Sequence, residues 1–85
     1  MRVACVQVAI VDGDVEANRE RVLRMTEQAL WDRPDLVVLP ELTTSGYCTD
    51  DYTQVAESVD GYLVTALGAL AAASGASILV GLVIL

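Results

Sequence analysis

Apolar and polar positions alternate loosely from Arg2 to Val11, a stretch rich in Val and Ile, and this period of two predicts a first strand. The turn cluster Asp12-Gly13-Asp14 closes it. Apolar residues then recur at helical spacing, with Val15, Val22, Met25, Ala29 and Leu30 near one face and Glu20, Arg24, Glu27 and Gln28 on the other. Asp14 is suited to cap this helix, and Glu16 in its first turn suits the positive end of the helix dipole. Pro34 ends it, having no N–H to donate and pushing the residue before it out of the helical region.

Leu36 to Leu39 is a continuous apolar run, too short for a stable helix, and reads as a strand covered on both faces. It stops at Pro40-Glu41. The small, polar and turn-forming residues from Thr43 to Thr53 predict an exposed loop. A second helix is expected from a cap near Asp60, through Leu63, Ala66, Leu67, Leu70 and Ala71, to Ser74, with Gly75 as left-handed terminator. Ser77 to Leu85 is apolar and rich in β-branched residues, which gives a third strand. The order β-α-β-α-β predicts an α/β fold with a parallel sheet and right-handed crossovers. The third strand requires apolar cover on both faces, which two helices cannot supply to a three-stranded sheet. The expectation is therefore an incomplete unit: the front of something larger, or one partner of an assembly.

Composition narrows the function classes. The 85 residues suffice for one small domain, and 54% apolar content suffices for a core. Lys and His are absent, and five arginines face twelve acidic residues, for a net charge of −7. A nucleic-acid partner is not expected, because phosphate binding needs a clustered basic surface. Arg19, Arg21, Arg24 and Arg33 do cluster, but Glu16, Glu20, Glu27 and Asp32 are interleaved with them, so the stretch reads as a solvated helix face. Cys5 and Cys48 alone cannot build a Cys/His zinc site within one chain, and neither a metal nor a cofactor is expected. Without a Gly-rich phosphate loop, a nucleotide site has no support either. Two cysteines forty-three residues apart, with no secretory leader pattern, fit reduced thiols in a cytoplasmic setting.

The sharpest chemical signal is Pro40-Glu41-Leu42, a carboxylate set directly after a buried strand, where open α/β proteins place their sites. Burial there would make Glu41 a suitable general base; position alone favours a glutamate that caps the strand and points to water. Cys5, between Ala4 and Val6 in the first strand, reads as a small core residue. Cys48, with no cationic neighbour after it, lacks what activates a thiol. Tyr47 and Tyr52 could shape a substrate mouth or pack over a strand end. Asn18 reads as ordering the first helical turn.

Leu36-Val37-Val38-Leu39-Pro40-Glu41 followed by Gly46-Tyr47 resembles the first catalytic block of the nitrilase superfamily, the carbon-nitrogen hydrolases. Val6-Gln7, Gly13-Asp14 with Asn18, and Val80-Gly81 agree with that family in order and spacing. The resemblance runs through essentially all of residues 1–85 and corresponds to about the front third of the family's α-β-β-α sandwich domain. It implies hydrolysis of nitriles or linear amides by a Glu-Lys-Cys triad: cysteine attacks the carbon, glutamate acts as general base and lysine stabilises the developing negative charge. By motif match Glu41 is the base. The chain has no lysine, and the family's nucleophile lies on a strand beyond residue 85, so this chain alone is expected to be inactive. The partners that follow are a small-molecule nitrile or amide and, for the segment itself, self-association or pairing with the rest of the domain.

Two other readings stay open on sequence. Residues 62–85 carry no charge and are long enough, at ~1.5 Å per residue, to cross a ~30 Å hydrocarbon core as a membrane anchor. The Ser74-Gly75-Ala76-Ser77 break and the absence of flanking Lys or Arg count against it. The other is a structural segment that associates without catalysing anything.

Overall fold

A computed structural model of the chain describes residues 1–47 and 52–84. Its elements are strand β1 (Val3–Cys5), helix α1 (Val15–Leu30), strand β2 (Leu36–Val38), a single 3₁₀ turn (Tyr52–Gln54), helix α2 (Tyr62–Ser74) and strand β3 (Ser77–Leu79). The strands form one parallel sheet in the order β1-β2-β3, with Val3, Leu36 and Ser77 in register across it. The expected β-α-β-α-β order and the parallel pairing are both present.

Asp14 caps α1 as expected, accepting from the Ala17 amide at 3.3 Å. The helix ends where Trp31 reaches back to Ala29 and Gln28, and Arg33, at φ 53°, turns the chain into Pro34. α2 differs slightly. Its cap is Gly61, because the Asp60 carboxylate is engaged by the Ser58 hydroxyl rather than by the helix amides. Gly75 terminates it in the left-handed region at φ 77°, donating to Ala71 O at 2.9 Å.

The two helices touch each other, and α1 lies on β2 while α2 lies on β3, so both cover the same sheet face. Between them sits the core of Val22, Val37, Leu39, Leu63 and Leu67. Even-numbered Ala4, Val6 and Val8 of the first segment turn toward it. The other face is open: Val3 is 47% exposed and Leu79 59%. Cys5 falls on that face and is exposed, which corrects its expected core position. Strand alternation sends its side chain away from the helices.

The strands are shorter than the apolar runs that predicted them. β2 meets Pro40, which cannot donate to a ladder, so the β1 pairing ends soon after Val6 N donates to Val38 O at 2.9 Å. Past β3 the chain is bonded to loops instead: Thr43 N to Gly81 O at 2.9 Å and Glu57 N to Val83 O at 2.7 Å, with a bridge between Glu57 and Ile84.

Residues 62–79 are thus a 13-residue helix, a glycine break and a strand. Such a helix is only ~20 Å long at 1.5 Å per residue, short of a ~30 Å hydrocarbon core. Among the described residues no helix is long and apolar enough to cross a membrane.

The most buried stripe of α1 is Asn18, Val22 and Thr26, two of them polar. Among the described residues the Thr26 hydroxyl has no hydrogen-bond partner. Thr26→Val keeps the shape and removes the unsatisfied group, so it is expected to stabilise the fold by about 1 kcal/mol, measured as a raised urea midpoint at unchanged slope.

Candidate active site

Glu41 follows β2 by three residues and begins a turn through Ser45. Leu42, at φ 48°, bends the chain sharply after it. The carboxylate is exposed rather than buried. Its fixed point is Tyr47, whose hydroxyl donates to Glu41 Oε2 at 2.7 Å. That hydrogen bond, then the negative charge of Glu41, then slight desolvation and Tyr52, push the Tyr47 phenol above its usual 10. Tyr47 itself is 61% exposed.

The turn that joins these two residues is not the exposed loop expected for 43–53. Thr43, Thr44, Ser45 and Gly46 are buried, and the reason is that their polar groups are met within the fold. The Thr43 hydroxyl donates to Pro40 O, and Gly46 N closes on Leu42 O at 2.9 Å. Gly13 N donates to Ser45 O at 2.8 Å, which ties the turn to the loop before α1. Tyr47 N donates to Asp12 Oδ1 at 2.9 Å. Cys48 and residues 49–51 lie outside the described residues.

Two glycines let backbones close on this turn. Gly46 adopts φ 62°, and a Cβ there would come within 3.0 Å of Asp12 Cα. At Gly81 a Cβ would lie 3.0 Å from Glu41 Cα and 3.3 Å from Leu42 N, so the strand past β3 runs flush beneath Glu41 only because residue 81 has no side chain.

Behind the turn lies a polar network. Asn18, fully buried, does more than order a helical turn: its amide donates to Val11 O and to Thr44 O, each at 2.8 Å, and its Oδ1 accepts from Val11 N and from Arg21 Nη1, each at 3.0 Å. Thr44 Oγ1 donates to Glu57 Oε1 at 3.1 Å. Glu57 is 4% exposed and takes a two-pronged ion pair from Arg19, Nε to Oε1 at 2.8 Å and Nη2 to Oε2 at 2.9 Å. Arg19 is therefore not one of a row of solvated charges, as its interleaved acids suggested. The Glu57 hydrogen bonds raise its pKa, against an opposing contribution from desolvation. Sequence reasoning passed over Glu57. A single acid between Ala56 and Ser58 has no periodicity to mark it, and its partner is thirty-eight residues away.

A cleft of about 450 Å³, lined by Cys5, Val6, Gln7, Val8, Val38, Leu39 and Pro40, runs along the strand ends and finishes at the residue before Glu41. A larger one of about 650 Å³ lies on the helices, between residues such as Glu20, Arg24 and Tyr62. Chemically, the strand-end region offers a carboxylate acceptor held by a phenol. Among the described residues no group of His, Cys, Asp and Glu could hold a metal ion.

The model of one protein family, Carbon-nitrogen hydrolase, matches residues 2–84. The protein named "Probable nitrilase C965.09" of Schizosaccharomyces pombe is 38% identical over 58 residues, which are 65% of this chain and 21% of that protein. Omega-amidase NIT3 of Saccharomyces cerevisiae is 37% identical over 62 residues, 71% of this chain and 21% of the relative. The chain thus aligns with about a fifth of the length of the curated relatives it matches.

Proposed function

Because the chain belongs to the carbon-nitrogen hydrolase family, we propose that residues 1–85 form the N-terminal part of a nitrilase-like domain that hydrolyses nitriles or linear amides. In this reading the reaction runs through a Glu-Lys-Cys triad, and Glu41 is its general base. The observation that carries the proposal is the carboxylate at the end of β2, in the Pro-Glu block, with one oxygen held by Tyr47. A base so held can take the proton of a cysteine thiol as the sulfur attacks the nitrile or amide carbon. Lysine would then stabilise the negative charge that develops on the substrate. The chain has no lysine, so its partner in this chemistry is the remainder of the domain. The open sheet face with Val3 and Leu79 supports association, either with that remainder or with a second copy. The omega-amidase relative favours a linear amide as substrate. A cytoplasmic setting fits the free thiol of Cys5.

The test joins the chain to the segment that carries the lysine and cysteine in the family domain and follows ammonia release from nitriles and linear amides. Glu41→Gln is expected to lower the rate about 10²–10⁴-fold, the range for loss of a general base. The 85-residue chain alone is expected to release none. Turnover unchanged by Glu41→Gln, or carried out by the chain alone, overturns the proposal.

A further inference from the structure

We propose that Tyr47 is the positioning residue of the Glu41 base, its hydroxyl holding Oε2 so that Oε1 is the oxygen turned to the attacking thiol. The inference rests on reading Glu41 as the base, and adds what fixes it.

An exposed glutamate has three side-chain torsions and, left alone, samples many rotamers. Glu41 is exposed, so burial does not restrain it. Tyr47 can, because a tyrosine ring is a rigid strut with two torsions and its backbone is anchored at its own amide and at the residue before it. Its amide is bound to Asp12 Oδ1 at 2.9 Å, and Gly46 before it is locked at φ 62° with its N–H on Leu42 O. The ring therefore spans a closed turn and returns to the residue that opens it. With Oε2 taken by the phenol, Oε1 is the oxygen the proposal assigns to accept the proton. Tyr47 remains the donor throughout: the neighbouring carboxylate raises its pKa above 10, so at neutral pH the phenol keeps its proton and does not compete as a base. The alternative is an exposed contact without consequence, and the two differ in what Tyr47→Phe does.

The first measurement uses the 85-residue chain, with tyrosines labelled at Cζ and Tyr47 assigned by the resonance lost in Tyr47→Phe. Tyr47 is expected to titrate above 10 and to move back toward 10 in Glu41→Gln. The Glu41 side-chain couplings are expected to report one rotamer in the wild type and averaging in Tyr47→Phe, with the other amide resonances unchanged. A Tyr47 titration indifferent to Glu41→Gln, or unchanged Glu41 couplings, overturns the proposal. Should Tyr47→Phe fail to fold, Tyr47 is assigned by through-bond connectivity and the Glu41→Gln titration decides.

The second measurement uses the completed hydrolase. Tyr47→Phe is expected to lower kcat about 10–100-fold at nearly constant KM, the scale of a misplaced catalytic group, and to lower it no further in a Glu41→Gln background. A purely structural role would depress both backgrounds alike. If Glu41→Gln leaves activity intact, the base assignment fails; if it abolishes activity while Tyr47→Phe leaves kcat unchanged, only the role of Tyr47 fails.

Discussion

Glu57→Ala is expected to destabilise the chain by about 3–5 kcal/mol, the cost of breaking a buried ion pair by removing one partner. The carboxylate side chain is 2% exposed and its partner Arg19 31%, so the deletion strands a half-buried guanidinium and the Thr44 hydroxyl together. At ~0.05–0.15 kcal/mol per residue, 85 residues give a total stability of only ~4–13 kcal/mol, so the loss is a large share of it and, at the lower end of that range, leaves much of the population unfolded. Position makes it worse. Glu57 N also holds Val83 O at 2.7 Å, and the residue pairs with Ile84, so the same site fastens α1 to the segment past β3. Urea unfolding followed by far-ultraviolet circular dichroism would show a lower midpoint. The paired substitution Arg19→Met with Glu57→Leu is expected to recover most of the loss, since two apolar side chains of similar volume leave no charge unpaired. A Glu57→Ala midpoint within error of the wild type would mean that the pair is solvated in solution.

How far this arrangement could be read in the sequence depends on whether a residue belongs to a repeating pattern. Asp14, Pro34 and Gly75 act locally, through capping, a missing N–H and a left-handed backbone, so α1 and the end of α2 were legible at near residue level. Val37 and Leu39 were legible as core because a short apolar run after a proline break has few other uses. Glu41 was legible because it sits at a strand end inside a motif. The burial of 43–46 was not: Thr43, Thr44 and Ser45 have the composition of an exposed turn, and the partners that take them inside include groups far off in sequence, such as Gly81 O and Glu57. Cys5 shows the same limit from the other direction. Its apolar neighbours suggested a core, but which sheet face is covered depends on both crossovers lying on one side, a property of the whole unit. The uncharged run of 62–85 could be divided correctly only once Gly75 was taken as a stop rather than as one small residue in a long helix.

Asn18 joins the fold to the site, and Asn18→Ala carries the second large expected effect. Truncation removes four hydrogen bonds and leaves Val11 N–H and the buried Thr44 O without their partner, while Val11 O keeps the Asp14 amide at 3.1 Å. With about 1 kcal/mol for each of the two stranded groups, the expected loss is about 2 kcal/mol. The more telling consequence is local. Thr44 O is the point at which α1 grips the turn between Glu41 and Tyr47, so hydrogen exchange at the Thr43 and Gly46 amides is expected to accelerate beyond what the global loss of stability explains. Asn18→Asp separates shape from donor chemistry. It keeps an oxygen for Val11 N–H and Arg21, but turns a second oxygen toward two carbonyls that now receive two hydrogen bonds. It is therefore expected to be at least as destabilising as alanine, despite the near-identical volume. If Asn18→Asp instead unfolds at the wild-type urea midpoint with slow exchange at Thr43, the turn is held by its own internal bonds, and the link from helix to catalytic block is dispensable.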